Sequence, residues 1–203
     1  TIKVMGGEDW QLWIDALKKK DLLAPEALTL AYSYIGPPFS WPIYRDGTIG
    51  QAKLHLEETA KLLEKNYGKD NGLRSFVSIN KAVVTRASAV IPIIPLYIST
   101  LFKVMKERNI HEDCLDQMMR LFSERLYQKR GTGIPTDEEG RIRIDDLEMG
   151  PSVQNEISSR LARIDESNLH ELADLAGFRS DFLRAHGFDV PGVDYEREIL
   201  SLE

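Results

Sequence analysis

A tyrosine and a lysine, Tyr44 and Lys53, lie nine residues apart in the run Trp-Pro-Ile-Tyr-Arg-Asp-Gly-Thr-Ile-Gly-Gln-Ala-Lys. A phenol keeps its proton to about pH 10, so it serves as an acid or oxyanion donor only where its anion is stabilised. An ammonium about 4 Å away contributes on the order of 4 kcal/mol at an effective dielectric of about 20, enough to lower the pKa of the phenol. The pair is therefore a candidate for proton donation to a bound ligand.

The spacing restricts how Tyr44 and Lys53 can meet. Nine residues of one helix make about 2.5 turns, which directs the two side chains to opposite faces. A proline before Tyr44 and an Asp-Gly pair after it indicate a loop, and Thr48 with Gln51 predicts a capping box that begins a helix. We therefore expect Tyr44 in a loop that folds back toward Lys53 in the first turns of the helix. The alternative is an exposed loop tyrosine beside a solvated lysine.

Several segments of the chain resemble one family of oxidoreductases. They are residues 3–10, 31–37, 42–53, 55–57, 80–85 and 89–98. These segments are similar to the NADH-dependent trans-2-enoyl-CoA reductases, a family that includes the FabV-type enoyl-[acyl-carrier-protein] reductases. The tyrosine and lysine with eight residues between them are distinctive, because ordinary short-chain dehydrogenases place these residue types four apart on one helix.

The resemblance covers nearly the whole chain and implies its fold class. Members of the family are about twice as long and carry a dinucleotide-binding half before the point where this chain begins. No G-x-G-x-x-G turn occurs here, and Gly6-Gly7 lacks a preceding apolar strand and a third glycine. We expect an α/β protein: the C-terminal half of a Rossmann-like parallel sheet, related to short-chain dehydrogenases, with added C-terminal helices. The N-terminal half is then a missing partner.

The resemblance also implies roles for individual residues. Tyr44 donates to the oxyanion of the substrate, Lys53 holds the nicotinamide ribose, and Tyr34 contacts the substrate carbonyl. The implied cofactor contacts are Lys53, Ala82, Val83, Val84 and Thr85, and the implied substrate contacts are Tyr34, Ile91, Pro92 and Ile94.

The residue pattern alone leaves alternatives open at these positions. Tyr34 lies on a predicted strand and could serve in core packing. Residues 80–85 follow a strand, where open α/β sheets bind ligands, but an ordinary turn has the same composition. The apolar stretch 91–97, stiffened by two prolines, suits the wall of an acyl pocket as well as a buried segment.

Hydrophobic periodicity predicts the elements that position these residues. The predicted strands are 2–5, 28–35, 75–79 and a short one at 141–144; the predicted helices are 9–23, 48–67 closed by Gly68, 91–106, 111–128, 152–164, 168–176 and 181–186, with a loop at 131–140. We expect a Rossmann-like catalytic domain over residues 1–109 and a helical substrate-side extension over residues 110–203.

Composition excludes several classes of protein. The 203 residues carry a net charge of −6, which argues against nucleic-acid binding, and a single cysteine rules out an internal disulfide. No secretory segment or long apolar stretch occurs, so we expect a cytoplasmic chain without a membrane span. His111 and Cys114 lack a second pair, so no metal site is expected, and Asp137-Glu138-Glu139 is assigned to a solvated loop.

The expected function is reduction of trans-2-enoyl thioesters, carried by CoA or acyl-carrier protein, by NADH in fatty acid synthesis. The chain alone is expected to bind cofactor poorly and to be inactive without its N-terminal half. One alternative is a non-catalytic module that binds an acyl carrier or a partner subunit. Another is a related reductase that acts on a ketone.

Overall fold

Alternating strands and helices organise the chain. The structure is a computed structural model that describes residues 1–127 and 133–198. Its helices and strands are α1 (Ile2–Met5), α2 (Glu8–Lys19), β1 (Leu28–Ser33), α3 (Trp41–Tyr44), α4 (Thr48–Asn71), β2 (Arg74–Ile79), α5 (Ile94–Glu107), α6 (Cys114–Arg120), β3 (Ile142–Arg143), α7 (Pro151–Leu161), α8 (Leu169–Leu172) and α9 (Leu175–Arg184). A 3₁₀ turn, Pro38–Ser40, precedes α3, and a π-helix, Leu121–Leu126, follows α6.

The chain folds into two compact units. The first contains Thr1–Ala82 and the described part of Glu112–Gly150, and the second contains Val83–His111 and the described part of Pro151–Glu203. Each unit thus combines two separate stretches of sequence. The expected division into domains at residues 109 and 110 stays a prediction.

A parallel sheet with the order β1-β2-β3 lies in the first unit. Strand β1 pairs with β2 from Leu28 opposite Arg74 to Ser33 opposite Ile79, and β2 pairs with β3 at Ser78 opposite Ile142. Parallel neighbours need a crossover, and α4 provides it between β1 and β2. The expected α/β class with a parallel sheet is confirmed. Because β1 and β2 end at the same level, the residues that follow them lie at one edge of the sheet.

Helix α4 packs against β2 through one apolar face. Ala60 packs with Val77 and Ile79 of β2, and Leu63 packs with Ile14 of α2. The predicted capping box is wrong, because Gly47 is the N-cap residue and Thr48 is already helical, with no capping hydrogen bond from a side chain. The helix also continues past Gly68 to Asn71.

Helix α5 forms the centre of the second unit. Most of its residues are buried, among them Tyr97, Leu101 and Phe102. The Tyr97 hydroxyl accepts a hydrogen bond from Gln154 of α7 at 3.1 Å. Lys106 pairs with Asp174, whose carboxylate also caps α9, at 2.5 Å. These contacts attach α7 and α9 to the two ends of α5.

The structure also corrects the predictions for residues 2–5 and 111–128. Residues 2–5 form a helix instead of a strand, because their amides bond to carbonyls of the same segment, such as Met5 to Thr1 at 2.8 Å. The helix predicted over 111–128 begins only at Cys114, where Asp113 and Asp116 form a capping box. Residue 128 and the first two residues of the predicted 131–140 loop lie outside the described residues.

Alanine at Gly68 and at Gly72 is expected to change stability in opposite directions. Gly72 has a left-handed φ of 70° after the end of α4, so alanine there should lower the free energy of unfolding by about 1–2 kcal/mol. Gly68 lies inside the helix and a Cβ would make ordinary contacts, so alanine there should raise it by about 0.5–1 kcal/mol. Urea unfolding of both variants measures this. A lower free energy of unfolding in Gly68→Ala would mean that the helix ends at Gly68.

Candidate active site

Tyr44 and Lys53 lie close together in the first unit. Tyr44 is the last residue of α3, and Lys53 lies in the second turn of α4. The Nζ atom of Lys53 is 5.6 Å from the centre of the Tyr44 ring, within the range of a cation–π contact. The expected approach of the two side chains is confirmed. Tyr44 is the last residue of a short helix, however, and does not lie in an open loop. Their catalytic roles stay predictions.

Gly50 allows the segment after α3 to fold back onto α4. A Cβ atom at this position would lie 1.7 Å from the carbonyl oxygen of Arg45, so a larger residue would displace that backbone. The amides of Arg45 and Asp46 donate to the carbonyl of Trp41, at 2.9 and 2.8 Å. This tight turn and the close approach at Gly50 hold Tyr44 beside α4.

The ammonium of Lys53 is anchored at the carboxyl end of β1. Its Nζ atom donates to the backbone carbonyl of Tyr34 and to the hydroxyl of Ser33, the latter at 3.3 Å. Burial lowers the pKa of Lys53 to about 8, and the negative charge of Glu57, one turn further along α4, partly opposes this shift. Lys53 is therefore mostly charged at neutral pH and loses its charge under mildly alkaline conditions.

The phenol of Tyr44 holds its proton more strongly than an exposed tyrosine. Burial raises its pKa above the ordinary value of 10.0, because the phenolate would lose solvation. The expectation that Lys53 lowers this pKa is wrong for this structure, since the ammonium donates to the Tyr34 carbonyl and lies near the ring of Tyr44. Tyr44 is thus a neutral hydrogen-bond donor at physiological pH.

Tyr34 directly follows β1 and packs edge-on against Tyr44. Their ring centres are 5.1 Å apart, and the ring planes are nearly perpendicular at 85°. The Tyr34 hydroxyl donates to Oε1 of Glu148 at 3.0 Å, and Oε2 of the same carboxylate accepts from the amide of Ala82 at 2.7 Å. Glu148 is completely buried. Tyr34, Tyr44 and Lys53 therefore lie together, beside a buried carboxylate that the sequence analysis did not identify.

The predicted cofactor contacts after β2 are divided between the units. Ala82 belongs to the first unit, where its amide is already bonded to Glu148. Val83, Val84 and Thr85 belong to the second. The Thr85 amide donates to the hydroxyl of Ser88 at 2.8 Å, which makes a local turn. Contact of these residues with a cofactor stays a prediction.

The predicted substrate contacts lie in the second unit, where Ile91 and Pro92 precede α5 and Ile94 is its first residue. Ile94 is 2% exposed and belongs to the core, whereas Pro92 is exposed. Between them, Ile93 has a positive φ of 67°, which is strained for a β-branched residue. Their role in an acyl pocket stays a prediction.

A cavity of about 300 Å³ lies beside Tyr44 and Lys53. The aromatic part of its wall is formed by Tyr44 and by Trp41, over which the guanidinium of Arg45 stacks at 4.4 Å. Its charged lining consists of Arg45, Lys53, Arg141, Arg143, Glu57 and Glu139. Arg141 is paired with Glu57 and Glu139, and Arg143 with Asp145, whereas Arg45 and Lys53 lie beside the aromatic wall.

Charged residues around β3 form ion pairs beside this cavity. Arg141 pairs with Asp137 at 2.8 Å and Glu139 at 2.9 Å, and it approaches Glu57 at 3.5 Å. Burial opposes ionisation of Asp137, but hydrogen bonds from Arg141 outweigh it and hold the pKa of Asp137 below its ordinary value. Asp137 lies in the predicted loop but is half-buried and paired, whereas Glu138 and Glu139 are exposed as expected. An alternating Arg-x-Arg-x-Asp pattern over 141–145 was the available signal that these charges share one face.

The described part of the chain contains neither a metal-binding cluster nor a helix that could span a membrane. Among residues 1–127 and 133–198, no group of three or more His, Cys, Asp or Glu residues is placed to hold a metal ion. In the same ranges, every helix is too short or too polar to cross a membrane.

Comparison with known proteins identifies the family. Residues 1–127 match the family model described as the trans-2-enoyl-CoA reductase catalytic region. Tyr34, Tyr44 and Lys53 all lie within these matched residues. The chain belongs to the trans-2-enoyl-CoA reductase family. Residues 136–199 match a second model, described as the enoyl reductase FAD binding domain. The resemblance inferred from the sequence is thereby confirmed.

Individual members of the trans-2-enoyl-CoA reductase family are similar to almost all of this chain. The trans-2-enoyl-CoA reductase [NADH] of Treponema denticola is 56% identical over 98% of this chain and 49% of its own length. The enoyl-[acyl-carrier-protein] reductase [NADH] of Opitutus terrae is 52% identical over 98% of this chain and 50% of its own. The crystal structure of the Treponema denticola reductase in complex with NAD has a TM-score of 0.92, with 55% identity over 98% of this chain and 49% of that one. The chain spans about half the length of the curated relatives it matches.

The described residues of the region matched by the flavin-binding model do not fit a flavin. Residues 136–150 belong to the first unit and 151–198 to the second. Strand β3 is only two residues long, and the sequence between it and α7 contains no glycine-rich turn that could cradle a pyrophosphate.

The amine of Lys53 is expected to titrate near pH 8, and Glu57→Gln should move its midpoint to lower pH. The physical reason is that Glu57 raises a pKa that burial lowers to about 8. NMR titration of protein with ¹³C-labelled lysine measures both midpoints, and loss of the signal in Lys53→Met assigns it. A midpoint that stays unchanged in Glu57→Gln would contradict the described electrostatics.

The lowered pKa of Lys53 makes the free energy of unfolding depend on pH. A lowered folded-state pKa means that the unfolded chain binds more protons between about pH 8 and pH 10.5, so the contribution of Lys53 to stability falls as pH decreases through about 8. Replacement by methionine should remove this dependence, which denaturant unfolding at pH 7 and pH 10 can measure.

Proposed function

We propose that this chain is the catalytic C-terminal half of an NADH-dependent reductase that converts trans-2-enoyl thioesters to saturated acyl thioesters in fatty acid synthesis, in the cytoplasm. The observation that carries the proposal is the placement of Tyr44 against Lys53 and Tyr34 at the carboxyl end of β1. Membership of the trans-2-enoyl-CoA reductase family supports it. The N-terminal half would supply most of the dinucleotide site.

Tyr44 is proposed to donate to the oxygen of the thioester. NADH, when bound, supplies a hydride to the β-carbon of the enoyl group, and negative charge then develops on the thioester oxygen. A donor that is already in place stabilises that charge most effectively, because it need not reorganise during the reaction. The raised pKa of Tyr44 supports this role, since the phenol retains its proton until the oxyanion forms.

Lys53 is proposed to hold the ribose hydroxyls of the nicotinamide. An ammonium has three N–H donors, and hydrogen bonds to Tyr34 and Ser33 use two of them. The remaining donor suits a hydroxyl at the edge of the sheet. The anchoring at β1 would keep the cation beside the Tyr44 ring whether or not cofactor is bound.

The remaining contacts are proposed from the family resemblance. Lys53, Ala82, Val83, Val84 and Thr85 would adjoin the cofactor, and Ile91, Pro92 and Ile94 would adjoin the acyl chain together with Tyr34. Because the amide of Ala82 is bonded to Glu148, Ala82 would contribute through the position of its peptide group and not through this amide. Each methylene of the substrate buried against Ile91 or Pro92 would contribute about 0.8 kcal/mol.

The substrate of the proposed reductase is carried by CoA or by acyl-carrier protein. The relatives include one named for CoA and one named for acyl-carrier protein. Both carriers bear phosphate groups, which Arg45 and Lys53 in the lining of the cavity beside Tyr44 would attract. Assays of the full-length enzyme with crotonyl-CoA and with a crotonyl-acyl-carrier protein distinguish the two.

A non-catalytic module that binds an acyl carrier or a partner subunit is the second candidate, and a ketone reductase is the third. The full-length enzyme that carries this chain is expected to oxidise NADH with crotonyl-CoA, and not with the corresponding ketoacyl thioester. Binding of acyl carrier without NADH oxidation would favour the module. Activity with the ketoacyl thioester alone would favour the third candidate.

Tyr44→Phe is expected to lower kcat of the full-length enzyme by roughly 10²–10³-fold, the usual effect of removing an oxyanion donor. The affinity for NADH should remain nearly unchanged, because the phenol is not a cofactor contact in this account. Tyr32→Phe is the matched control, since Tyr32 is 53% exposed. Steady-state kinetics with crotonyl-CoA measures the effect, and near-normal turnover would remove Tyr44 from its role.

Lys53→Met is expected to weaken NADH binding as well as turnover, because it removes the donor to the ribose. Lys65→Met, on an exposed part of α4, serves as the control. NADH affinity, followed by fluorescence titration, should also weaken in the wild-type enzyme as pH rises through about 8, where Lys53 loses its charge. Equal affinity in wild type and Lys53→Met would exclude the ribose contact.

A further inference from the structure

Glu148 joins two separate parts of the first unit through its carboxylate. Oε1 accepts from the hydroxyl of Tyr34 at 3.0 Å, and Oε2 accepts from the amide of Ala82 at 2.7 Å. The side chain is 0% exposed. A buried carboxylate is costly unless its oxygens are hydrogen-bonded, so both donors are important to it.

These bonds fix the direction of the Tyr34 proton. A phenol has a single O–H group, and this one is donated to Glu148. While this bond is made, the hydroxyl of Tyr34 does not donate the same proton to a substrate carbonyl. What Tyr34 offers Tyr44 is its ring, which packs edge-on at 5.1 Å.

We propose that Glu148 is a positioning residue of the active site, which acts through Tyr34 to orient the ring of Tyr44. Tyr34 is then an orienting residue and not a second proton donor, which leaves the donation to Tyr44. This inference rests on the proposed function and refines it. Rigid support of this kind affects rate because small displacements of a catalytic group slow the reaction strongly.

A purely structural role is the alternative explanation for Glu148. In that case the carboxylate would stabilise the backbone at Ala82 and have no connection to the Tyr34 hydroxyl in catalysis. The two explanations differ in whether substitutions at Glu148 and Tyr34 act on the rate independently.

A double-mutant cycle in the full-length enzyme separates the explanations. Glutamine at position 148 keeps the shape of the side chain but has one carbonyl oxygen, so Glu148→Gln cannot accept from both Tyr34 and Ala82. Tyr34→Phe keeps the ring but removes the hydroxyl. Each single variant is expected to lower kcat with crotonyl-CoA about tenfold, and the double variant about tenfold as well, with KM changed less than about twofold. A double variant whose loss is the product of the two single losses would overturn the proposal.

A second measurement tests the hydrogen bond without relying on activity. Tyr34→Phe is expected to lower Tm by about 4 °C, because the buried carboxylate loses one of its hydrogen bonds, whereas Tyr32→Phe on the exposed neighbour should leave Tm unchanged. Equal Tm values for these two variants would overturn the proposal, even if Glu148→Gln failed to fold. An inactive wild-type enzyme would instead count against the proposed reductase function.

Discussion

The contact between the ammonium of Lys53 and the carbonyl oxygen of Tyr34 is the interaction on which the candidate site depends. It joins α4 to the end of β1, and the segment between these two elements carries Tyr44. Gly50 allows that segment to approach α4 closely, because any side chain there would collide with the backbone of Arg45. A tyrosine and a lysine that could not share one helical face therefore meet at the edge of a parallel sheet.

Burial shifts the pKa values of Tyr44 and Lys53 in opposite directions. It raises the pKa of Tyr44 and lowers that of Lys53, because in both cases the neutral form loses less solvation. Tyr44 thus keeps the proton that an oxyanion donor needs, and Glu57 helps Lys53 to remain charged at neutral pH. In the proposed mechanism the site places a protonated donor in advance, and it does not require a phenolate at Tyr44.

The sequence predicted those parts of the molecule that depend on local pattern or on a shared motif. The parallel strands, α4 and the approach of Tyr44 and Lys53 follow from periodicity, from turn residues and from the family resemblance. The extent of α4 was missed, since Gly68 and Gly72 are both suitable helix ends and tertiary contacts decide between them. Glu148 could not be found, because no spacing relates position 148 to Tyr34 and only the folded sheet brings them together.

A crystal structure of the full-length enzyme with NAD and an unreactive enoyl thioester tests the central claim most directly. The account predicts that the hydroxyl of Tyr44 lies within hydrogen-bond distance of the thioester oxygen, while Lys53 stays on the Tyr34 carbonyl and contacts the ribose. A structure in which Lys53 leaves β1 and Tyr44 points away from the thioester would contradict it.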